Sequence, residues 1–306
     1  MITILTPTYN RAYILHKAYN SLKQQTLFDF EWIIVDDGSS DETEKLVKSW
    51  IKSNNSFDIV YHKQKNGGKH RAVNNGVKLS KYDYIMILDS DDYLTDDAVE
   101  KVHYWISTIS NSSEIVGVAG FRGYENGTTL GKSLPRRYID ITSLQRKKYK
   151  LMSDKVEVYK TEIMKKFPFP EFEGENFLRE SASWDRIAQA GYKLRYFNEI
   201  IYICEYIEDG LTKNVNNTIY AKNFNGFTYC TTLYLETHSF PYDCLKIGHY
   251  YEVSKINNLS NRQIIDNLHI SNVKLYFSLL LNFAKKTFLR GRKLIYGIHN
   301  TKSERC

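Results

Sequence analysis

Four short apolar runs in the first hundred residues each end in a polar turn, and a helical pattern follows each turn. The runs are Ile2–Leu5, Trp32–Val35, Ile59–Tyr61 and Tyr84–Leu88. Strands that alternate with helices form parallel sheets, and the carboxyl ends of parallel strands meet at one edge of the sheet. The sequence therefore predicts an α/β fold, with a mostly parallel central sheet flanked by helices and polar turns that face one shared site.

The fourth run leads into the densest group of acids, Asp89-Ser90-Asp91-Asp92. Carboxylate oxygens on a short turn suit Mg²⁺ or Mn²⁺, and these ions commonly carry a phosphate. A calcium loop of the EF-hand type needs glycine at its sixth position, where this chain has Leu94. The sequence predicts a site for a metal-bound diphosphate, and the alternative is a solvated turn that caps the next helix.

Two common nucleotide-binding motifs are missing from the sequence. No Gly-x-Gly-x-x-Gly follows the first strand, and no Gly-x4-Gly-Lys-Ser/Thr loop occurs. Neither a dehydrogenase nor a phosphate-loop NTPase is favoured. A nucleotide could instead be held by the first two turns, with Tyr9 stacked on a base and Asp36 accepting a hydrogen bond from its imide edge. The alternative for Tyr9 is a half-buried ring that seals the edge of the sheet.

The polar turns together resemble the motif series of a known family. The segments are Thr6–Arg11, Val35–Asp41, Asn66–Lys69 and Leu88–Asp92. In order and spacing they resemble family 2 glycosyltransferases with the GT-A fold, over residues 1 to about 210. The resemblance implies an inverting transfer of a sugar from a nucleotide diphosphate donor, most often UDP-linked, to an acceptor hydroxyl. It also implies one Mn²⁺ or Mg²⁺ ion, and an acceptor that is a growing glycan or polysaccharide, often lipid-linked.

The resemblance also assigns roles to individual residues. It implies that Asp91 is the principal metal ligand, that Asp89 contacts ribose or metal, and that Lys69 approaches the diphosphate. Asp37 is expected to organise its own loop. The residues expected to line the nucleotide-sugar site are Thr6, Pro7, Thr8, Tyr9, Arg11, Asp36, Asp37, Asn66, Gly68, Lys69, Asp89 and Ser90.

An acceptor hydroxyl is a poor nucleophile at neutral pH, so the reaction needs a general base. The resemblance implies an acid at the start of a helix in the second half of the chain, and Glu180 fits that place best. The family's commoner form is a Glu-Asp pair followed by Trp, whereas Glu180 is followed by Ser181. The other candidates for the base are Glu175, Glu173 and Asp185.

The chain is predicted to have a catalytic domain, 1–212, and a helical C-terminal region, 213–306. The donor-binding part would be 1–110 and the acceptor side 111–212. The resemblance places Glu205–Thr212 near the donor phosphates, with Tyr206 and Lys213 as further contacts. The segment Asn272–Lys293 is apolar and basic, and the net charge is +7. It is predicted either to lie on an anionic membrane surface or to pack on the catalytic domain with its lysines in water.

Several other classes are disfavoured. The four cysteines have no Cys-x-x-Cys spacing, the histidines form no zinc motif, and no nucleic-acid recognition motif is found. The first strand starts at once, without a signal peptide, so a cytoplasmic enzyme is expected, peripheral on the inner face of the membrane if the basic helix binds lipid. One alternative function is a sugar-1-phosphate nucleotidyltransferase, although these open with a Gly-rich loop after the first strand. The other is a non-catalytic nucleotide- or glycan-binding scaffold, which need not keep Asp91 and Glu180.

Overall fold

The computed structural model describes residues 1–53, 55–110, 112–205 and 215–296, with side chains up to residue 289. The strands are β1 Ile2–Thr8, β2 Phe30–Asp36, β3 Asp58–Lys63, β4 Tyr84–Ile87, β5 Tyr93–Leu94, β6 Ile115–Gly123, β7 Tyr138–Ile141, β8 Lys155–Lys160 and β9 Lys193–Ile203. The helices are α1 His16–Lys23, α2 Thr43–Ile51, α3 Lys69–Leu79, α4 Ala98–Ser107, α5 Thr161–Lys166, α6 Ser181–Gln189, α7 Asn217–Lys222, α8 Phe224–Thr237, α9 Tyr242–Ile256, α10 Asn261–Leu268 and α11 Asn272–Tyr296, with a 3₁₀ helix at Ser143–Tyr149.

The chain divides into two compact units. The first contains Met1–Glu171 and Ser183–Asn214, and the second contains Phe172–Ala182 and Val215–Cys306. The second unit thus includes residues 172–182, which the sequence analysis assigned to the catalytic domain. Each unit is described separately below.

The first unit is built on one sheet, ordered β3-β2-β1-β4-β8-β6-β9-β5, with β7 paired to β9. Strands β3, β2, β1 and β4 are parallel, whereas β8 is antiparallel to both β4 and β6. The predicted α/β architecture is confirmed. The parallel half brings the turns after β1, β2, β3 and β4 to one edge of the sheet, because the carboxyl ends of parallel strands lie together.

Burial explains why the parallel strands form from these residues. All seven residues of β1 and all seven of β2 are buried, as expected for strands covered on both faces. The ring of Trp32 in β2 lies in an aromatic stack with Tyr19 and Trp50, and the Tyr19 and Trp50 centroids are 4.3 Å apart. Helix α3 lies close against β1, since a Cβ on Gly76 would be 2.1 Å from the Leu5 side chain. This close packing holds α3, which begins at Lys69, against the sheet.

Three local features complete the description of these elements. Strand β9 runs continuously from Lys193 to Ile203, through a register shift against β6. Helices α7 and α8 are separated at Asn223, whose ψ of 55° leaves the helical region. At the start of α2, the Asp41 carboxylate accepts a hydrogen bond from the Thr43 backbone N–H at 3.1 Å.

The second unit is helical. Its core is formed by residues from α7, α8, α9, α10 and α11, namely Tyr220, Ala221, Phe227, Ile247, Tyr250, Val253, Ile264, Leu268 and Leu275. Helix α10 begins with a capping box in which Ser260 and Gln263 satisfy each other's backbone N–H groups. In the part of the chain that the structure describes, no helix is both long enough and apolar enough to cross a membrane.

Candidate functional site

Asn10 joins the turn after β1 to the turn after β2. Its φ is +52°, a left-handed conformation that Asn adopts more readily than most residues. The Asn10 side-chain oxygen accepts a hydrogen bond from the Ser40 backbone N–H at 2.8 Å, and the Asn10 backbone N–H donates to the Ser39 hydroxyl at 2.8 Å. The asparagine of the Thr6–Arg11 motif therefore shapes the site and is held by the protein itself.

Asp37 ties the turn after β2 to the start of α3. Its carboxylate accepts hydrogen bonds from the backbone N–H groups of Gly67 and Gly68, at 2.9 and 2.8 Å, and from the Gln64 amide at 2.7 Å. The side chain is 5% exposed. These contacts are those expected of a residue that organises its own loop. The Asp37 carboxylate accepts its hydrogen bonds from the protein itself.

Two glycines allow this close approach of the turns. Gly38 has a φ of +83°, and a Cβ there would be 2.9 Å from the Asn66 backbone nitrogen. The Asn66 side-chain amide donates to the Asp37 carbonyl oxygen at 2.9 Å. Gly68 has a φ of +96° and directly precedes α3, so that Lys69 is the first helical residue. A residue with a Cβ would be strained at either glycine.

Asp36 lies fully inside the protein. One oxygen accepts a hydrogen bond from the Ser39 backbone N–H at 2.7 Å, and the other accepts one from the Tyr61 hydroxyl. Burial, and then the hydrogen bond to Asp36, raise the pKa of Tyr61, so its hydroxyl stays protonated and donates. A base edge that bonded to Asp36, as the sequence analysis expected, would share a buried carboxylate whose two oxygens each already accept one hydrogen bond.

Residues at the end of β1 and in the turn after it differ in their availability to a ligand. Tyr9 is 48% exposed, so about half of its surface is open to solvent. Thr6 is buried, and its hydroxyl accepts a hydrogen bond from the Trp32 ring N–H at 2.9 Å. The Thr8 hydroxyl is also buried, but it has no hydrogen-bond partner among the described residues. Pro7 lies between the two threonines within buried β1. Tyr9 thus presents an exposed ring, whereas the Thr8 hydroxyl is buried with its hydrogen-bonding capacity unused by the described residues.

The turn after β4 contains a carboxylate that is balanced by cations. Lys69 Nζ lies 2.5 Å from one oxygen of Asp89, and Arg122 Nη1 lies 3.3 Å from the other. Burial alone would raise the pKa of Asp89, but the charges of Lys69 and Arg122 outweigh it and hold the pKa below its ordinary value. The Asp89 backbone N–H donates to the Tyr202 hydroxyl at 2.9 Å. Asp89 is therefore ionised and fixed in place.

The other two carboxylates of the turn are poorly balanced. Asp92 accepts a hydrogen bond from the Glu205 backbone N–H at 3.0 Å and lies 3.7 Å from Arg122. Asp91 makes no side-chain hydrogen bond or ion pair with another residue among those the structure describes. Burial, and then the negative charge of Asp89, raise the pKa of both Asp91 and Asp92. The turn is short of positive charge at Asp91. Ser90, between them, is 8% exposed.

Two residues of this cluster were missed by the sequence analysis. Arg122 comes from β6 and Tyr202 from β9, and the Arg122 guanidinium lies over the Tyr202 ring at 4.4 Å. The Arg122 side chain also donates to the Lys155 carbonyl oxygen at 3.0 Å. The sequence did contain one signal for Arg122, a single arginine near the end of an otherwise apolar strand. A buried charge requires a partner, so this arginine indicates an acid nearby in the fold.

A divalent ion fits this donor set through Asp91. Among the described residues, no three His, Cys, Asp or Glu side chains are grouped to hold a metal ion by themselves. Mg²⁺ in phosphate-transfer sites is often bound by one or two carboxylates, with the substrate phosphates and water as the other ligands. Asp91 offers free oxygens for such a site, whereas both oxygens of Asp89 are already paired with cations.

The candidate bases have different environments. Glu180 is half-buried and directly precedes α6, as the resemblance implied. Glu175 is buried, and its two oxygens accept hydrogen bonds from the backbone N–H groups of Asn225 and Gly226, at 2.7 and 2.8 Å, in the first turn of α8. Its contacts therefore give Glu175 a structural role at a helix N-terminus. Tyr206 and Lys213, the other expected contacts, lie outside the described residues.

The cavity of about 240 Å³ in the first unit is separate from these residues. It is lined by Lys132, Ser133, Leu134, Pro135, Arg136, Ile139, Lys148, Tyr149 and Lys150. None of the predicted donor or metal residues belongs to this lining. The candidate site is an open edge of the sheet, consistent with the exposure of Tyr9, rather than an enclosed cavity.

The chain is similar to curated relatives over part of its length. It is 35% identical over 132 residues to poly-beta-1,6-N-acetyl-D-glucosamine synthase of Staphylococcus aureus (strain COL), which covers 43% of this chain and 31% of that protein. It is 33% identical over 138 residues to the poly(ribitol-phosphate) beta-N-acetylglucosaminyltransferase TarP of Staphylococcus aureus (strain N315), covering 44% and 39%. The chain thus matches 31% and 39% of the length of these two relatives.

Solved structures and a family model extend the comparison. S. aureus TarS 1–349 in complex with UDP-GlcNAc matches with a TM-score of 0.58 and 17% identity, covering 91% of this chain and 79% of that one. The mannosyltransferase PcManGT from Pyrobaculum calidifontis, in complex with GDP-Man and Mn²⁺, matches with a TM-score of 0.55 and 14% identity, covering 96% and 80%. These likenesses confirm the predicted GT-A fold. The model of glycosyl transferase family 2 matches residues 3–167, more than half of the chain, and the chain therefore belongs to that family.

Proposed function

We propose that this protein transfers a sugar from a nucleoside diphosphate donor, UDP-linked, to an acceptor hydroxyl of a growing glycan, with inversion at the anomeric carbon and with a divalent ion. The observation that carries the proposal is the turn after β4. There, Asp89 is held by Lys69 and Arg122, while Asp91 lies beside it without an ion pair to any described residue. A turn built in this way suits a cation that arrives together with a diphosphate.

In the proposed reaction, the departing diphosphate gains negative charge as the bond to the sugar breaks. When bound at Asp91, Mg²⁺ or Mn²⁺ would supply Lewis-acid stabilisation of that charge. Lys69 is the protein's own contribution, because it begins α3 and its Nζ already lies beside a carboxylate oxygen. The helix N-terminus adds backbone N–H groups that favour an anion at the same place.

The nucleoside is proposed to lie over the turn after β1. Tyr9 presents an exposed ring for base stacking, and the buried Thr8 hydroxyl has a hydrogen-bonding capacity that no described residue uses. Asp36 and Asp37 support this surface from within, because their carboxylates accept hydrogen bonds from backbone N–H groups and from the Tyr61 hydroxyl. Arg11, whose positive charge acts on Asp91, is proposed to contact the donor as well.

Glu180 is proposed as the general base that deprotonates the acceptor hydroxyl. The proposal rests on the place of Glu180 immediately before α6 and on the structural use of Glu175. Direct attack by the acceptor, with no covalent sugar–enzyme intermediate, gives inversion. Glu173 and Asp185 are the remaining acids against which this assignment is to be tested.

The comparisons suggest where to begin with substrates. Two relatives are named for N-acetylglucosamine chemistry, one as a poly-N-acetylglucosamine synthase and one as a transferase to poly(ribitol-phosphate). One structural neighbour holds UDP-GlcNAc and another holds GDP-Man with Mn²⁺. We therefore propose UDP-GlcNAc as the first donor to test, with polysaccharide or lipid-linked glycan acceptors. Because nucleotide sugars are cytosolic, we propose that the reaction takes place on the cytoplasmic side.

A screen of nucleotide sugars tests this function. Purified protein is incubated with each donor, in Mn²⁺, in Mg²⁺ and in EDTA, and the release of UDP or GDP by slow hydrolysis is measured. The proposal predicts release from one UDP-sugar that stops in EDTA, and NMR of the product should show an inverted anomeric centre. Pyrophosphate release from UTP and a sugar 1-phosphate would instead identify a nucleotidyltransferase. Binding of UDP without turnover of any donor would identify a scaffold.

A further inference from the structure

Helix α11 has one face that packs within the helical unit. Leu275 and Ser278 are fully buried, and Asn282 is partly buried. Gly248 in α9 allows the two helices to approach closely, since a Cβ there would lie 1.9 Å from the Asn282 side-chain nitrogen. Positions three and four apart share one face of a helix, so this stripe is the side that faces α9.

The other face of α11 is apolar and open to solvent. Its exposed residues are Val273, Tyr276, Phe277, Leu280, Phe283 and Phe288. Leu280, Phe283 and Phe288 are 66%, 69% and 65% exposed, and Phe240, at 61%, places its ring 6.2 Å from that of Phe277. A helix that is packed on one side and wetted on the other should carry polar residues on its outer side. Such a concentration of exposed large apolar side chains marks an interaction surface.

The charged side chains of the chain segment that contains α11 are of one sign. From Asn267 to Ser303 the sequence contains no Asp or Glu, and Lys or Arg occupies positions 274, 285, 286, 290, 292, 293 and 302. Lys274 pairs with Asp243 at 3.0 Å and Lys286 pairs with Glu252, whereas Lys285 is exposed. Two copies of such a surface would repel each other, whereas an anionic surface would be attracted.

We propose that the open face of α11, together with Phe240, docks on the surface of an anionic lipid bilayer. The helix lies in the plane of the membrane, because its opposite stripe is occupied by α9. Phenylalanine and leucine side chains enter the boundary between headgroups and acyl chains, tyrosine lies at headgroup level, and the basic residues contact the lipid phosphates. The alternative was a helix that packs on the protein with only its lysines in water. The exposed phenylalanine and leucine side chains favour the membrane surface over that alternative.

Vesicle sedimentation of the full chain tests the proposal. Wild-type protein should pellet with vesicles of phosphatidylglycerol and phosphatidylcholine and much less with phosphatidylcholine alone. The double substitution Leu280→Glu and Phe283→Glu should lower binding to the anionic vesicles at least tenfold, on the order expected from removing two apolar anchors and reversing local charge. Lys285→Ser should lower it about fivefold, and this loss should shrink in high salt.

The matched control is Ile51→Glu with Met152→Glu, which introduces the same charge at two exposed apolar residues of the other unit. This control should bind anionic vesicles as wild type does. Circular dichroism and the melting temperature must be unchanged in each variant. Equal pelleting of wild type and the Leu280/Phe283 variant would overturn the proposal. The proposal would also be overturned if wild-type protein does not bind vesicles but forms a dimer, and if the same double substitution dissociates that dimer. Slow donor hydrolysis in solution reports separately on the proposed transferase function.

Discussion

The turns after β2 and β4 both place neighbouring acids at the end of a buried parallel strand, but their carboxylates are satisfied in different ways. Asp36 and Asp37 accept hydrogen bonds from neutral backbone N–H, amide and hydroxyl groups. Asp89 is instead paired with two cations, and Asp91 has no such partner among the described residues. The first turn is complete without a ligand, whereas the second is short of positive charge.

This difference teaches how to distinguish a structural acid from a ligand-binding one. Buried carboxylates are tolerated when hydrogen bonds or opposite charges stabilise the ionised form. Where the protein supplies enough donors, the acid holds a loop together, as Asp37 does. Where it does not, burial and like charge disfavour ionisation, as at Asp91, and an incoming cation can restore the balance. The number and kind of donors therefore separate the two roles better than the spacing of the acids.

The largest expected effect is the loss of turnover in Asp91→Asn. We expect donor turnover to fall by about 10³-fold, because the cation that stabilises the leaving diphosphate loses its main protein ligand. The melting temperature should stay the same or rise, since a partly buried and poorly balanced carboxylate is removed. UDP release and thermal unfolding measure the two quantities. The control is Asp96→Asn, an exposed acid five positions along. Equal activity of Asp91→Asn and Asp96→Asn would show that Asp91 does not bind the ion, and would contradict the proposed difference between the two turns.

The corresponding change in the other turn, Asp37→Ala, should act mainly on stability. It leaves the backbone N–H groups of Gly67 and Gly68 without their acceptor. We expect the free energy of unfolding to fall by about 3 kcal/mol, as for the loss of hydrogen bonds to a charged group. Denaturant unfolding measures it, with Asp96→Ala as the control. A stable variant that loses only donor binding would show that Asp37 is a ligand instead.

The substitution Glu180→Gln tests the activation of the acceptor, a step in which neither of the two turns is proposed to act. Turnover should fall on the order of 10²-fold, because the amide cannot accept the proton of the acceptor hydroxyl. The affinity for UDP should remain, since a base acts on the acceptor. Steady-state kinetics and calorimetry provide the comparison, with Glu173→Gln, an exposed acid nearby, as the control. Retained turnover in Glu180→Gln would move the role to Asp185 or Glu173.

A smaller effect, on the pH dependence of stability, is expected from His70. This residue lies in α3, the helix whose start contacts both turns through Asp37 and Asp89. Burial, and then the charge of Arg71, lower the pKa of His70 from its ordinary 6.5 to about 4. The folded protein therefore resists protonation of His70, so stability should fall as the pH drops from 6.5 towards 4 and be unaffected by this residue above 6.5. Between pH 7.5 and 5 the loss should be on the order of 2 kcal/mol.

Denaturant unfolding at those two pH values measures this difference. It should be smaller in His70→Gln, and the exposed residue His16, changed to Gln, should leave it as in wild type. A His70→Gln protein that keeps the full loss of stability between pH 7.5 and 5 would show that another group is responsible.

The sequence predicted the parallel half of the fold and the turns at its edge, because strand, turn and helix follow one another locally there. It could not predict that Arg122 and Tyr202 meet Asp89, since this contact depends on the order of β8, β6 and β9 in the sheet. Nor does spacing reveal that the Tyr61 hydroxyl lies against the carboxylate of Asp36, the residue expected to contact the base. Burial of hydroxyls such as that of Thr8 is likewise a tertiary property.

The most direct test of the metal-diphosphate site is calorimetry of UDP binding with and without Mn²⁺, on wild-type protein and on Asp91→Asn. The account predicts that Mn²⁺ tightens binding to wild type at least about tenfold, as expected for an ion that bridges a carboxylate and phosphates. It should have little effect on Asp91→Asn. Equal affinity of wild-type protein for UDP in Mn²⁺ and in EDTA would contradict the account.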